Sequence, residues 1–300
     1  AVAEFASSGD ILPVSSNNVD PVGTRAGYLL DLSPLIEGDT AFDTSDFFPE
    51  IWDAFQWDRG IWAMPIAAQV QLLIYDMAKF DAAGLAYPDA SWTFDDMAAA
   101  ARALTEYDDE GNVEVPGFLG FNLTQLLHGF LDGEDFTDDS VFPIEPDFSN
   151  PELLPILTEY VALQEEGVFG GGPGSGQINF DELPMQLSGV WQLSNTPRPG
   201  GERELAGSLL PGGYGLLSVE GVAVSSGTLY PELSYELLKF MSSDIAISQA
   251  IFGDTPARRS LVGAELDDEE TFFFRPELDD ETQQLLDDAR ERGDKVYELE

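Results

Sequence analysis

Residues 60–84 read GIWAMPIAAQVQLLIYDMAKFDAAG. Within them Leu72-Leu73-Ile74-Tyr75 is a bulky apolar run, which predicts a buried strand. Pro65 has no amide to give to a ladder and belongs at a strand end or an edge. Between the two lies Ala67-Ala68-Gln69-Val70-Gln71, where two amides interrupt the apolar pattern. Inside a packed domain an amide without partners costs about 1–3 kcal/mol. Two placements avoid that cost: an edge strand with both glutamines solvated, or a cleft where they face water and ligand.

The flanking motifs extend the reading. GIWAMP (60–65), LLIYD (72–76), KFDAAGL (79–85) and SWTFDDM (91–97) follow one another in an order that resembles extracellular solute-binding proteins of family 1, the maltose-binding-protein-like sugar receptors of ABC importers. The resemblance implies an α/β, periplasmic-binding-protein-like fold: two α/β lobes joined by hinge strands, with a ligand cleft between them. It implies that 60–84 leaves the first lobe, crosses the hinge and enters the second. Gln69 would then lie on the cleft wall as a polar contact to a sugar. The implied division is 1–70 and 218–254 for lobe I, and 71–217 and 255–300 for lobe II.

Composition narrows the partners. Three hundred residues suit one large domain or two ordinary ones, and 43% hydrophobic with 11% aromatic residues can build a core. Thirteen basic against 56 acidic residues give a net charge of −43, which repels nucleic acid and anionic lipid. The acids are spread along the chain, as in a solvated shell. No apolar run reaches the ~18 residues of a membrane span, and no signal peptide opens the chain. With no cysteine and one histidine, His128, disulfides, thiolate metal sites and His-rich metal sites are excluded. No cofactor or metal is implied.

Before the central stretch, residues 1–36 resemble the family's passage of helix, Gly-Asp, strand, polar loop and helix, with Val14 where the family has Asp. The polar loop would stand at a strand's C-terminal end, where open α/β sheets bind ligands. Asn18 and Asp20 are its candidates, and a plain Asx turn explains them as well. Residues 42–57, FDTSDFFPEIWDAFQW, carry apolar side chains at 47, 48, 51, 52 and 55, a helical face. Trp57 and Trp62 flank the turn Asp58-Arg59-Gly60, and Trp62 is a candidate cleft residue.

Thr93 predicts an N-cap for a helix with Phe94, Met97, Ala98, Ala101 and Leu104 on one face. The Asp108–Asn112 run lacks the alternation of a calcium loop and reads as a solvated turn. Phe118–Asn122 reads as a strand, followed by a loop and first helical turn where the family places contacts; Gln125 and His128 are candidates there, with an ordinary helix residue the plainer reading of His128. Asn150-Pro151 opens a helix reaching Gly167, and the glycine-rich 170–176 lacks the Lys-Ser/Thr of a phosphate loop. Phe180, Met185, Gly189 and Trp191 look like the family's segment in which a strand ends in glycine and an aromatic. An indole face suits a pyranose, and Trp191 is favoured as a site residue over a core one. Residues 211–226 fit the return crossing, with Glu220 a candidate hydroxyl acceptor beside Gly221. Pro231 starts a helix with Leu233, Leu237, Phe240 and Met241 on one face. GDTPARRSLV (253–262) resembles a third crossing, and 280–292 a late acidic helix.

The functional expectation is a non-enzymatic protein, extracellular, cell-surface or periplasmic, that captures a carbohydrate-like small molecule and delivers it to ABC permease subunits. One rival is a carbohydrate-active hydrolase whose two cleft carboxylates lie about 5–10 Å apart. Another is a sensor or adhesion domain keeping the same fold. The resemblance also implies an N-terminal strand, helix and strand before Ala1 and helices after Glu300. A lipid anchor would belong to the missing N-terminus, and lobe I would lack a strand of a parallel sheet.

Overall fold

The computed structural model describes residues 7, 9–19, 21–120, 127, 131, 137–138, 145–146, 148–170, 178–193, 203–252, 255–264, 278–292 and 294–295. The chain opens with β1 (Ile11–Ser15), α1 (Pro21–Arg25), α2 (Ser33–Gly38), α3 (Pro49–Asp53), β2 (Gln56–Trp57), β3 (Gly60–Ile61), β4 (Met64–Asp76) and α4 (Met77–Ala83). There follow α5 (Phe94–Leu104), β5 (Glu106–Tyr107), β6 (Val113–Val115), β7 (Phe118–Leu119), β8 (Thr137–Asp138), β9 (Glu145–Pro146), α6 (Leu153–Glu165) and β10 (Phe169–Gly170). The remainder is β11 (Met185–Gly189), β12 (Leu205–Ser208), β13 (Leu216–Val224), α7 (Pro231–Ser243), α8 (Ile245–Phe252), β14 (Thr255–Pro256), α9 (Asp280–Arg292) and β15 (Asp294–Lys295).

Two compact units result. The first comprises Ala1–Val70, Leu216–Arg275 and Arg290–Glu300, and the second Gln71–Gly215 and Pro276–Ala289. Residues 255–264, expected with the second lobe, instead belong to the first unit. The reason is pairing: Thr255 and Pro256 lie antiparallel to Ala68 and Ala67.

In the first unit β13 lies between β1 and β4. β1 runs antiparallel to it, from Ile11↔Val224 to Ser15↔Glu220. Among the described pairings of this unit, β13–β15 is parallel, while β1–β13 and β14–β4 are antiparallel. Pro49 sits at the first turn of α3 and sets its start, which shortens the helix expected over 42–57 to five residues. Its apolar face is buried all the same: Phe47, Phe48, Ile51 and Phe55 are inside. α7 begins at Pro231 as expected but buries the opposite face. Ser234, Tyr235, Leu238 and Ser242 point in, while Leu233 is 68% exposed, with Leu237 and Phe240 exposed too. Asp39 decides this, because it accepts a bond from Lys239 Nζ at 2.6 Å and one from the Tyr235 hydroxyl at 3.4 Å.

In the second unit the later half of β4 is flanked on both sides. β11 pairs with it from Met185↔Tyr75 to Gly189↔Gln71, and β12 from Leu205↔Asp76 to Ser208↔Leu73, both antiparallel. That is why Leu72 to Tyr75 is apolar without interruption: neither edge nor face is left to water. β7 is parallel to both β11 and β10, and the rings of Phe118 and Phe169 meet at 4.9 Å between centroids. Asp76 closes β4 and caps α4, accepting from Lys79 N at 3.2 Å and from Arg203 Nε at 2.9 Å.

α5 begins at the predicted cap. Thr93 Oγ1 accepts from Asp96 N at 3.2 Å, and the Asp96 carboxylate accepts from Thr93 N at 2.9 Å, a full capping box. Thr93→Ala is expected to cost about 1 kcal/mol, measured as a lower urea midpoint with unchanged slope. Among the described residues no helix is long and apolar enough to cross a membrane.

Candidate functional site

Within the first unit one group of polar side chains converges at the end of β1. Strand alternation explains them. On β13 the burial pattern leaves Ser218 and Glu220 half-buried while Val219 between them is inside. The register puts Ser15 opposite Glu220. Ser15 Oγ lies 3.4 Å from Ser218 Oγ, Asn17 Nδ2 donates to Ser218 Oγ at 3.1 Å, and Ser218 Oγ donates to Glu220 Oε1 at 3.4 Å. The following turn is held by Asn18, whose Oδ1 accepts from Ser15 N at 2.9 Å. Ser16 Oγ accepts from Val219 N at 3.1 Å and ties the turn to β13.

Burial pushes the Glu220 carboxyl above the usual range, against the opposing bonds from Ser15 and Ser218. A raised carboxylate means that the neutral form fits the fold better. The charged form therefore weakens folding increasingly as pH rises through the ordinary carboxylate range. Glu220→Gln is thus expected to raise the thermal midpoint by roughly 1–3 °C in mildly alkaline buffer and by less in acid, where both side chains are neutral. Equal shifts at both pH values would contradict a desolvated carboxylate.

The other predicted residues fall in several places. Gln69 is the one exposed position of β4, and Gln71 on the same strand face is half-buried. Gly221 has a packing reason to be glycine, since a Cβ there would meet Phe55 Cε2 at 2.7 Å and the Met64 carbonyl oxygen at 2.9 Å. Trp62 is half-buried away from the Ser15 cluster's bonds, in a tilted pair with Trp57 at 6.4 Å. Its Nε1 donates to Trp57 O at 3.0 Å, and Trp57 Nε1 donates to Thr24 Oγ1 at 2.8 Å. Both indole donors are therefore used. Between them Asp58 and Arg59 take φ of 54° and 67°, the left-handed pair of a two-residue hairpin. Arg25 grips Asp58 with two bonds, at 2.5 and 2.8 Å. Trp191 lies in the 3-10 turn Val190–Leu193 that follows β11. A buried amide pair, Gln186 Nε2 donating to Gln192 Oε1 at 3.0 Å, fixes that turn to its strand. Asp20, Gln125 and His128 lie outside the described residues, as does the side chain of Trp191.

A family model described as bacterial extracellular solute-binding protein matches residues 3–246. The chain belongs to that family. Solved structures agree on a periplasmic-binding-protein-like fold with mixed α and β content. The sugar-binding protein MalE from the phytopathogen Xanthomonas citri superposes with a TM-score of 0.69 at 19% identity, over 97% of this chain and 74% of that one. An ABC substrate-binding protein from Listeria monocytogenes, in complex with cycloalternan, gives 0.65 at 19% identity over 94% and 78%. An ABC transporter solute-binding protein from Agrobacterium vitis, with bound D-mannitol, gives 0.61 at 22% identity over 97% and 72%. No curated protein sequence matches the chain.

The cluster at the end of β1 offers hydroxyls that donate and accept, an amide, and one carboxylate acceptor. Among the described residues no group of three or more His, Cys, Asp or Glu side chains is placed to hold a metal ion. The sequence reading named Asn18 and Glu220 and passed over Ser15, Asn17 and Ser218. The period-two spacing of Ser218 and Glu220 in an apolar strand was the available signal.

Proposed function

We propose that this solute-binding protein captures a carbohydrate-like, hydroxyl-rich small molecule outside the cytoplasmic membrane and delivers it to the permease subunits of an ABC importer. The carrying observation is the Ser15–Asn17–Ser218–Glu220 cluster at the end of β1, an array of hydrogen-bond donors and acceptors. The sugar-related ligands of the compared proteins point the same way. Family membership favours transport over hydrolysis, and over a sensor or adhesion role.

Gln69 and Trp191 are proposed as further contacts, with Asn18 supporting the turn. Gln69 is exposed in an otherwise buried strand, and Gln both donates and accepts. For Trp191 the support is the sequence pattern of strand, glycine and aromatic. Titration calorimetry with a bound sugar is expected to show a loss of about 2 kcal/mol for Trp191→Ala and about 1 kcal/mol for Gln69→Ala. Unchanged affinity in both variants would remove these two residues from the site.

A further inference from the structure

We infer that the solute carries a positively charged amino group among its hydroxyls, and that Glu220 is the carboxylate that receives it. The inference rests on the solute-binding reading above and narrows it to a chemical class, an amino sugar or a close analogue.

Some carboxylates in the protein's polar networks are matched by a basic side chain, and others, such as Asp31, by several short backbone and hydroxyl bonds. Asp39 has Lys239, Asp46 has Arg258, Asp58 has Arg25, Asp76 has Arg203 and Glu166 has Arg102. Glu220 is half-buried on β13, and among the described residues its bonds come from the hydroxyls of Ser15 and Ser218. The one from Ser218 spans 3.4 Å, long for a hydroxyl donor. Asn17 Nδ2 already donates to that hydroxyl oxygen, which turns the Ser218 hydrogen toward the carboxylate. A carboxylate has about four acceptor sites, so with bonds from Ser15 and Ser218 about half of the capacity of Glu220 is left. Its position away from full hydration pushes its carboxyl upward, the reverse of Asp39, Asp46, Asp58 and Glu166.

A neutral hydroxyl would satisfy some of those acceptor sites but not the charge. An ammonium would do both, through a charge-assisted bond roughly twice as strong as a neutral one. A metal ion is a poorer fit, because Glu220 is not joined by two further acidic, His or Cys side chains among the described residues. The chain as a whole agrees: at a net charge of −43 it attracts cations and repels anions.

The test compares amino sugars with their hydroxyl twins, glucosamine with glucose and chitobiose with cellobiose, by titration calorimetry at neutral pH. The wild-type protein is expected to bind the amino member of a pair about tenfold tighter or more, equivalent to about 1.4 kcal/mol. Glu220→Gln, nearly isosteric, is expected to bring that ratio to about one. Neutral twins that bind the wild type as tightly as their amino partners would overturn the inference and leave the solute-binding reading intact. So would a preference that survives Glu220→Gln. Binding of neither kind would overturn both.

Discussion

Gly117→Ala is expected to destabilise the second unit by about 3–5 kcal/mol, since its Cβ position is the most crowded among the described glycines. The added Cβ would stand 1.8 Å from the Ala101 carbonyl oxygen, 2.5 Å from its carbon and 2.8 Å from its Cα. All three are backbone atoms of α5, so no flexible side chain is available to yield. The same carbonyl accepts from Thr105 Oγ1 at 2.8 Å, and that hydroxyl accepts from Gly117 N at 3.1 Å, both bonds buried. Separating strand and helix to admit a methyl therefore breaks a buried hydrogen-bond chain as well as the packing. Gly38→Ala supplies the control, since nothing beyond its chain neighbours and its own helix backbone lies within 4 Å of its Cβ position. Urea unfolding followed with probes in each unit checks both variants, because two units need not unfold in a single step. A loss below about 1 kcal/mol for Gly117→Ala would contradict the close approach.

Arg258→Ala is expected to cost the first unit about 3 kcal/mol or more. The side chain is 9% exposed. Its Nε and Nη2 donate to Ser242 Oγ at 3.3 and 3.1 Å, and Nη1 donates to Asp46 at 3.2 Å. Its guanidinium also lies 4.2 Å from the ring centre of Phe47 and 5.0 Å from that of Phe42. Burial by itself would push the Asp46 carboxyl up, but bonds from Ser260 and Arg258 hold it below its ordinary value. Removing the guanidinium strips a charge from Asp46, a donor pair from Ser242 and a face from two rings. Arg258→Lys keeps the charge but loses the planar fork, and about half the loss is expected to remain. Equal stability of wild type and Arg258→Ala would mean that this network contributes nothing net.

These positions show what the sequence can and cannot reveal. Runs governed by local rules were legible. Leu72–Tyr75 is a buried strand, α5 starts at its Thr93 capping box, and α9 spans the acidic helix read from 280 to 292. Where a distant partner decides, the reading failed. α7 offered apolar side chains on two faces, and Asp39, some 200 residues earlier, chose Tyr235 and Lys239 over Leu233 and Leu237. The candidate site divides in the same way. Asn18 was visible as part of the polar loop after the first strand, and Glu220 as an acid in the return crossing. Ser15 and Ser218 became partners only through the β1–β13 register, which joins positions 203 residues apart. Gly117 and Gly221 look like ordinary loop and strand glycines until the atoms that fill their missing side chains are known.

The central claim is that this chain holds a carbohydrate-like solute and releases it unchanged. Its most direct test is titration calorimetry of the wild-type protein against a panel of mono- and oligosaccharides, with the sugar recovered afterwards and its length determined. The expected result is saturable binding of at least one sugar at one molecule per chain, recovered intact. At a hundred times its dissociation constant, that sugar should also add about 2.7 kcal/mol to stability. A sugar returned as shorter fragments would place the protein among the hydrolases, and a panel that produces no heat and no stabilisation would contradict sugar capture altogether.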